Sequence, residues 1–144
     1  MGQIQLSCAD EESLVCRDTD GSVQILFWDG TWQQDAENYF FYREDRKPAD
    51  LGTARICLSG MAPGRYRLTL RGTGYRRNDA RSFFRDLDTP DGSLSRAQVQ
   101  QLKDRCADAP LQEVTLTVEA GGELNFSTPL RTNDVFFLEI HPIR

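Results

Sequence analysis

The chain of 144 residues holds a single histidine, His141, and no Cys-x-x-Cys pair, so a zinc site of the Cys/His kind would have to gather ligands from four distant places. With 4 cysteines, Cys8, Cys16, Cys57 and Cys106, it has too few, too far apart, for a disulfide-built fold. Buried free thiols are the expected state, with one disulfide left open. Long apolar runs are missing. The longest, such as Ile25-Leu26-Phe27-Trp28, cover a few residues where a membrane-spanning helix needs about 20. Positive charge is also short overall, since the formal net charge is -5, which argues against nucleic acid or an anionic membrane as the partner. The Met1-Gly2-Gln3-Ile4-Gln5-Leu6 start has neither the basic beginning nor the apolar stretch of a secretory signal. A (β/α)8 barrel takes about 250 residues, so that catalytic scaffold does not fit within this chain.

Catalytic signatures are equally scarce. There is no Gly-x-Ser-x-Gly, and His141 would be the sole histidine base available to a nucleophile. The Gly72-x-Gly74 pair lacks a third glycine and a following cofactor helix, so no nucleotide loop is indicated. The 22 acidic residues fall largely in or beside turns, among them Asp18, Asp20, Asp29, Asp88 and Asp91. Aspartate in such places is expected to bond its own backbone rather than form the facing pair that glycoside hydrolysis requires. No metal, cofactor or catalytic residue is therefore expected.

What is present is a series of short strands punctuated by turns, at 39% hydrophobic and 27% charged residues. Ser13–Arg17 leads through Asp20-Gly21, which predicts a two-residue type I′ hairpin, into Val23–Trp28. That strand's alternation decays into a continuous apolar run, which suits a central strand covered on both faces. Further strands are predicted over Asn38–Arg43 and Ala54–Leu58. After Ala62-Pro63-Gly64, Arg65–Arg71 alternates cleanly, with Tyr66, Leu68 and Leu70 inward and the arginines outward. From Asn78 to Leu87 the spacing turns helical at Phe83, Phe84 and Leu87. A second helix follows Ser95, whose partner Gln98 completes a capping box, with Val99, Leu102 and Cys106 on one side. Strands resume over Glu113–Val118, from Leu124, and over Asp134–Ile140. The whole predicts one two-sheet antiparallel β-sandwich over 1–144 with a two-helix insertion at about 78–106.

Two surfaces invite a functional reading. Arg65, Arg67, Arg71, Arg76, Arg77, Arg81 and Arg85 crowd one span whose single acid is Asp79. It is either a solvated rim or a surface that docks an acidic partner, such as another domain of the same polypeptide. Separately, Trp28, Trp32, Tyr39, Phe41 and Tyr75 could stack on sugar rings as carbohydrate-binding sandwiches do. Trp32, in a polar loop, and Tyr39 are the candidates on that second reading.

Taken in order, Gly2–Leu6, Ser13–Asp18, Gly21–Asp29, Pro63–Leu68, Gly74-Tyr75-Arg76-Arg77-Asn78-Asp79-Ala80, the Ser95–Lys103 helix and Arg131-Thr132-Asn133-Asp134-Val135-Phe136-Phe137-Leu138 resemble the C-terminal region of family-39 glycoside hydrolases. The likeness is to bacterial β-xylosidases above all, with α-L-iduronidase more distant, and it runs over nearly the whole chain. It implies a non-catalytic sandwich that packs beside a (β/α)8 barrel of the same parent chain and supports oligomer contacts. It also implies a parent that hydrolyses xylo-oligosaccharides with retention. The barrel's Asn-Glu-Pro motif is missing here, so neither catalytic glutamate carries over, and Met1 would be an introduced start to an excised domain. Many members carry Tyr-x-Ile-Asp and His-Ser-Asn near Asn78, of which Asn78 alone corresponds. On this resemblance Tyr75, Arg76, Arg77 and Asn78 are the expected interface with the barrel. An independent carbohydrate-binding module is the alternative.

Overall fold

The computed structural model of the chain describes residues 4–6, 11–30, 45, 47–87, 89 and 92–143. Alternation builds most of it. Strands β1 (Ile4–Gln5), β2 (Ser13–Arg17), β3 (Val23–Trp28), β4 (Asp50–Leu58) and β5 (Gly64–Thr73) precede helices α1 (Ala80–Arg85) and α2 (Arg96–Arg105). Then come β6 (Gln112–Val118), β7 (Leu124–Arg131) and β8 (Val135–Ile143). All pairing is antiparallel, in a six-stranded sheet of order β1-β2-β3-β8-β5-β6 and a two-stranded sheet of β4 and β7. The predicted mainly β, two-sheet class with two inserted helices is the architecture observed.

Period-2 burial fixes which residues meet between the sheets. On β3, Val23, Ile25 and Phe27 are buried, and each faces a buried residue of β8: Ile140, Leu138 and Phe136. Tyr66, Leu68 and Leu70 of β5 join them, as the clean alternation of that strand requires. From the smaller sheet Leu124 and Phe126 close the core, backed by Ala54, Ile56 and Leu58 on β4. The Phe27 and Phe136 rings stack at 5.1 Å, an arrangement that adds to their area burial.

Local chemistry ends each element. Asp79 caps α1 by accepting from the Ser82 N–H at 3.1 Å. Ser95 and Gln98 form the complete capping box of α2, yet that helix buries no residue. Both helices fall inside the predicted insertion. Asp20-Gly21 departs from expectation. Only Gly21 has positive φ (86°), and its N–H bonds Asp18 O, so the loop is a β-turn closed by a left-handed glycine and not a type I′ pair. Strand β4 begins at Asp50, four residues before the predicted Ala54, and carries a bulge between Asp50 and Gly52. The predicted strand Asn38–Arg43 lies outside the described residues, as do Cys8, Asp88 and Asp91.

Among the described cysteines Cys16, Cys57 and Cys106 are free thiols, but they are not buried. Cys57 is exposed because it alternates out of phase with Ile56 and Leu58, and Cys16 and Cys106 are half-buried.

Candidate functional site

The Gly74–Ala80 run folds as a tight turn beyond the end of β5. Gly74 and Arg77 exchange both backbone hydrogen bonds at 3.0 Å, with Tyr75 and Arg76 at the tip. Arg76 (φ 56°) and Asn78 (φ 48°) adopt left-handed backbone, a conformation disfavoured outside glycine, so neighbours must hold it.

Those neighbours converge on Asp134, which is wholly buried at the β7–β8 turn. Its carboxylate accepts from Arg131 Nε and Nη2, each at 3.0 Å, and from Arg77 Nη1 at 3.4 Å. Arg131 Nη2 also donates to Tyr75 O at 3.3 Å, tying the tip to the same centre. The Arg77 guanidinium lies 5.1 Å from the Phe136 ring centroid, where burial first of all draws its pKa down against the opposing pull of Asp134. Asn78 Nδ2 donates to Gly72 O at 2.8 Å. Asp29, read from sequence as a residue bonding its own turn, instead accepts from the Asn133 N–H, 104 residues away, at 2.9 Å. Asp18 and Asp20 do bond locally, to Thr19 and Ser22.

Arg76 faces outward. It forks onto Asp86 at 2.8 and 3.1 Å, reaches Asp45 at 3.4 Å, and donates through Nε to the Tyr75 hydroxyl at 3.2 Å. Hydrogen bonds to Tyr75, then Asp86 and Asp45, raise its pKa above the ordinary arginine value. Beside this group is a cleft of about 360 Å3 lined by Asp45, Lys47, Tyr75, Asn78, Arg85 and Asn133 among others.

The four interface candidates are thus brought together, but they divide by role. Arg77 and Asn78 brace the turn from within, while Tyr75 and Arg76 present its surface. The sugar candidates Trp32 and Tyr39 lie outside the described residues. Sequence reasoning missed the roles of Asp134, Arg131 and Asp86. The Thr132-Asn133-Asp134 turn, with Asn133 at φ 62°, was the available signal.

No family model and no curated protein matches this chain. Solved structures do. A family-39 glycoside hydrolase of Xanthomonas axonopodis pv. citri aligns over 96% of this chain with TM-score 0.85 and 33% identity. The chain resembles the C-terminal domain of a family-39 glycoside hydrolase. A monomeric β-xylosidase of Caulobacter crescentus aligns over 97% of it with TM-score 0.84 and 33% identity. The chain spans only 27% and 28% of the length of these two enzymes. A bacterial orthologue of human α-L-iduronidase shares the fold at 15% identity and TM-score 0.66. The family-39 resemblance stated from the sequence is thus matched by structure, with the α-L-iduronidase likeness the more distant.

Proposed function

We propose that this chain is a non-catalytic accessory domain of a β-xylosidase-like glycoside hydrolase, and that it packs against and stabilises the catalytic barrel of the same parent. The observation that carries the proposal is the unequal coverage. Nearly all of the chain aligns to about a quarter of a family-39 enzyme, so in such a parent most of the polypeptide is elsewhere. The parent's expected activity is retaining hydrolysis of xylo-oligosaccharides, and the 1–144 span acts as a single domain within it. Tyr75 and Arg76, at the tip of the braced turn, face the barrel.

Two measurements test this. The 144-residue chain alone should release no sugar from an aryl xyloside, whereas the parent should. Arg76→Glu in the parent should loosen domain packing, seen as faster proteolytic separation of the domain. Turnover by the isolated chain would overturn the accessory reading. Saturable amide shifts on titration with xylobiose would favour the carbohydrate-binding module instead.

A further inference from the structure

The six-stranded sheet has a second face, turned away from β4 and β7. Antiparallel sheets commonly solvate such a face with polar residues. Here the pattern breaks. Leu14 of β2 pairs with Leu26 of β3, which pairs with Phe137 of β8, so the three lie side by side across three strands. Trp28 and Val135, paired two residues further on, extend the strip. Leu14 is 40% exposed, and the other four are half-buried. Among the described elements α1 and α2 pack against each other. The segment after α2 borders the strip, where Cys106 and Asp108 join Leu26, Val135 and Phe137 around a groove of about 310 Å3, and Leu14 and Trp28 lie outside that groove.

The rim of the strip is polar and internally neutralised. Arg71, opposite Phe137 on β5, is ion-paired with Glu139, and Asn78 reaches Asp108 at 3.4 Å. An apolar centre inside a polar margin is the anatomy of a protein interface. A strand that is apolar on both faces calls for cover on both, and the smaller sheet covers only one.

We propose that this strip seats on the catalytic domain of the parent polypeptide, against an apolar, uncharged surface there. The occupant is argued from coverage, because about three-quarters of each matched enzyme lies outside the region this chain aligns to. The inference rests on the accessory-domain reading and assigns it a face: the strip is the centre of the contact, and the Tyr75–Asn78 turn is its margin.

The test compares hydroxyl-radical labelling of the 144-residue chain and of the full-length parent. Leu14, Leu26, Trp28 and Phe137 should label about tenfold more slowly in the parent, as expected for a water-excluded interface centre. Equal labelling of the strip, with Tyr75 protected, would overturn this face and leave the accessory reading standing. Equal labelling everywhere would overturn both. Phe137→Asp in the parent should speed proteolytic release of the domain more than Arg76→Glu does. Should Phe137→Asp unfold the chain, Leu14→Lys, at the most exposed position of the strip, decides. An unchanged release rate for Leu14→Lys overturns the proposal.

Discussion

Gly74 packs its Cα directly on the carboxylate of Asp134, leaving no room for a Cβ, which would overlap Oδ1 and lie 3.1 Å from Cγ. Because Asp134 is fully buried and held by two arginines, it has nowhere to retreat. Gly74→Ala should therefore destabilise the domain by about 1–3 kcal/mol, the usual cost of overpacking a fixed site. Urea unfolding should show a lowered midpoint with an unchanged slope.

Removing the charge of Asp134 is the harsher change. Asp134→Asn would leave Arg77 and Arg131 facing each other with no anion between them. Breaking a fully buried pair costs about 3–5 kcal/mol. Because Arg77 and Arg131 keep 26% and 29% of their side-chain surface in solvent, the loss should fall toward the lower end of that range. Calorimetry should show a lower Tm. Further replacement of Arg77 by Met should recover part of the loss by removing one of the stranded cations.

Asp79 gives a pH dependence whose sign follows from its bonds. Burial works to raise its carboxyl, but hydrogen bonds from the Ser82 hydroxyl and N–H and from the Arg76 N–H outweigh it, and its pKa falls below the usual value. A lowered native pKa contributes stability that is present above the unfolded value of about 3.9 and is lost as pH falls through the native one. Stability should accordingly decline below about pH 4, and Asp79→Asn should flatten that part of the profile. Unfolding midpoints at pH 2.5 to 5 check both.

Helix α2 should respond differently. Ser95→Ala removes the side-chain half of its capping box, worth about 1 kcal/mol to the helix. Since α2 buries no residue, that loss stays local. Amide exchange should quicken across Arg96–Arg105 while the Tm barely moves.

Legibility from sequence tracked the distance between partners. Strand β5 was readable because Arg65, Tyr66, Arg67 and Leu68 carry the period-2 signal in adjacent positions. The capping box was readable because Ser95 and Gln98 are three residues apart. Asp134 was not, since one of its arginines lies 57 residues away and the Asp29–Asn133 bond spans 104. The Asp20-Gly21 pair misled because a left-handed glycine serves equally in a type I′ hairpin and in the longer loop found here. Of the four interface candidates, sequence supplied the neighbourhood but could not say that Arg77 and Asn78 point inward. Nothing in alternation reveals what covers each face of β3, because that depends on which elements stack against it.

The Asp134 knot joins the β7–β8 turn to the turn beyond β5, and Asp29 ties the end of β3 to the same β7–β8 turn. A turn on the surface normally opens by itself, at little free-energy cost. This one cannot swing away without breaking the Arg77–Asp134 pair and the Arg131–Tyr75 bond, so its opening costs more than that of an ordinary surface turn. The Tyr75–Arg76 tip is thereby a rigid fixture, and a force applied to it is shared among four strands, β3, β5, β7 and β8.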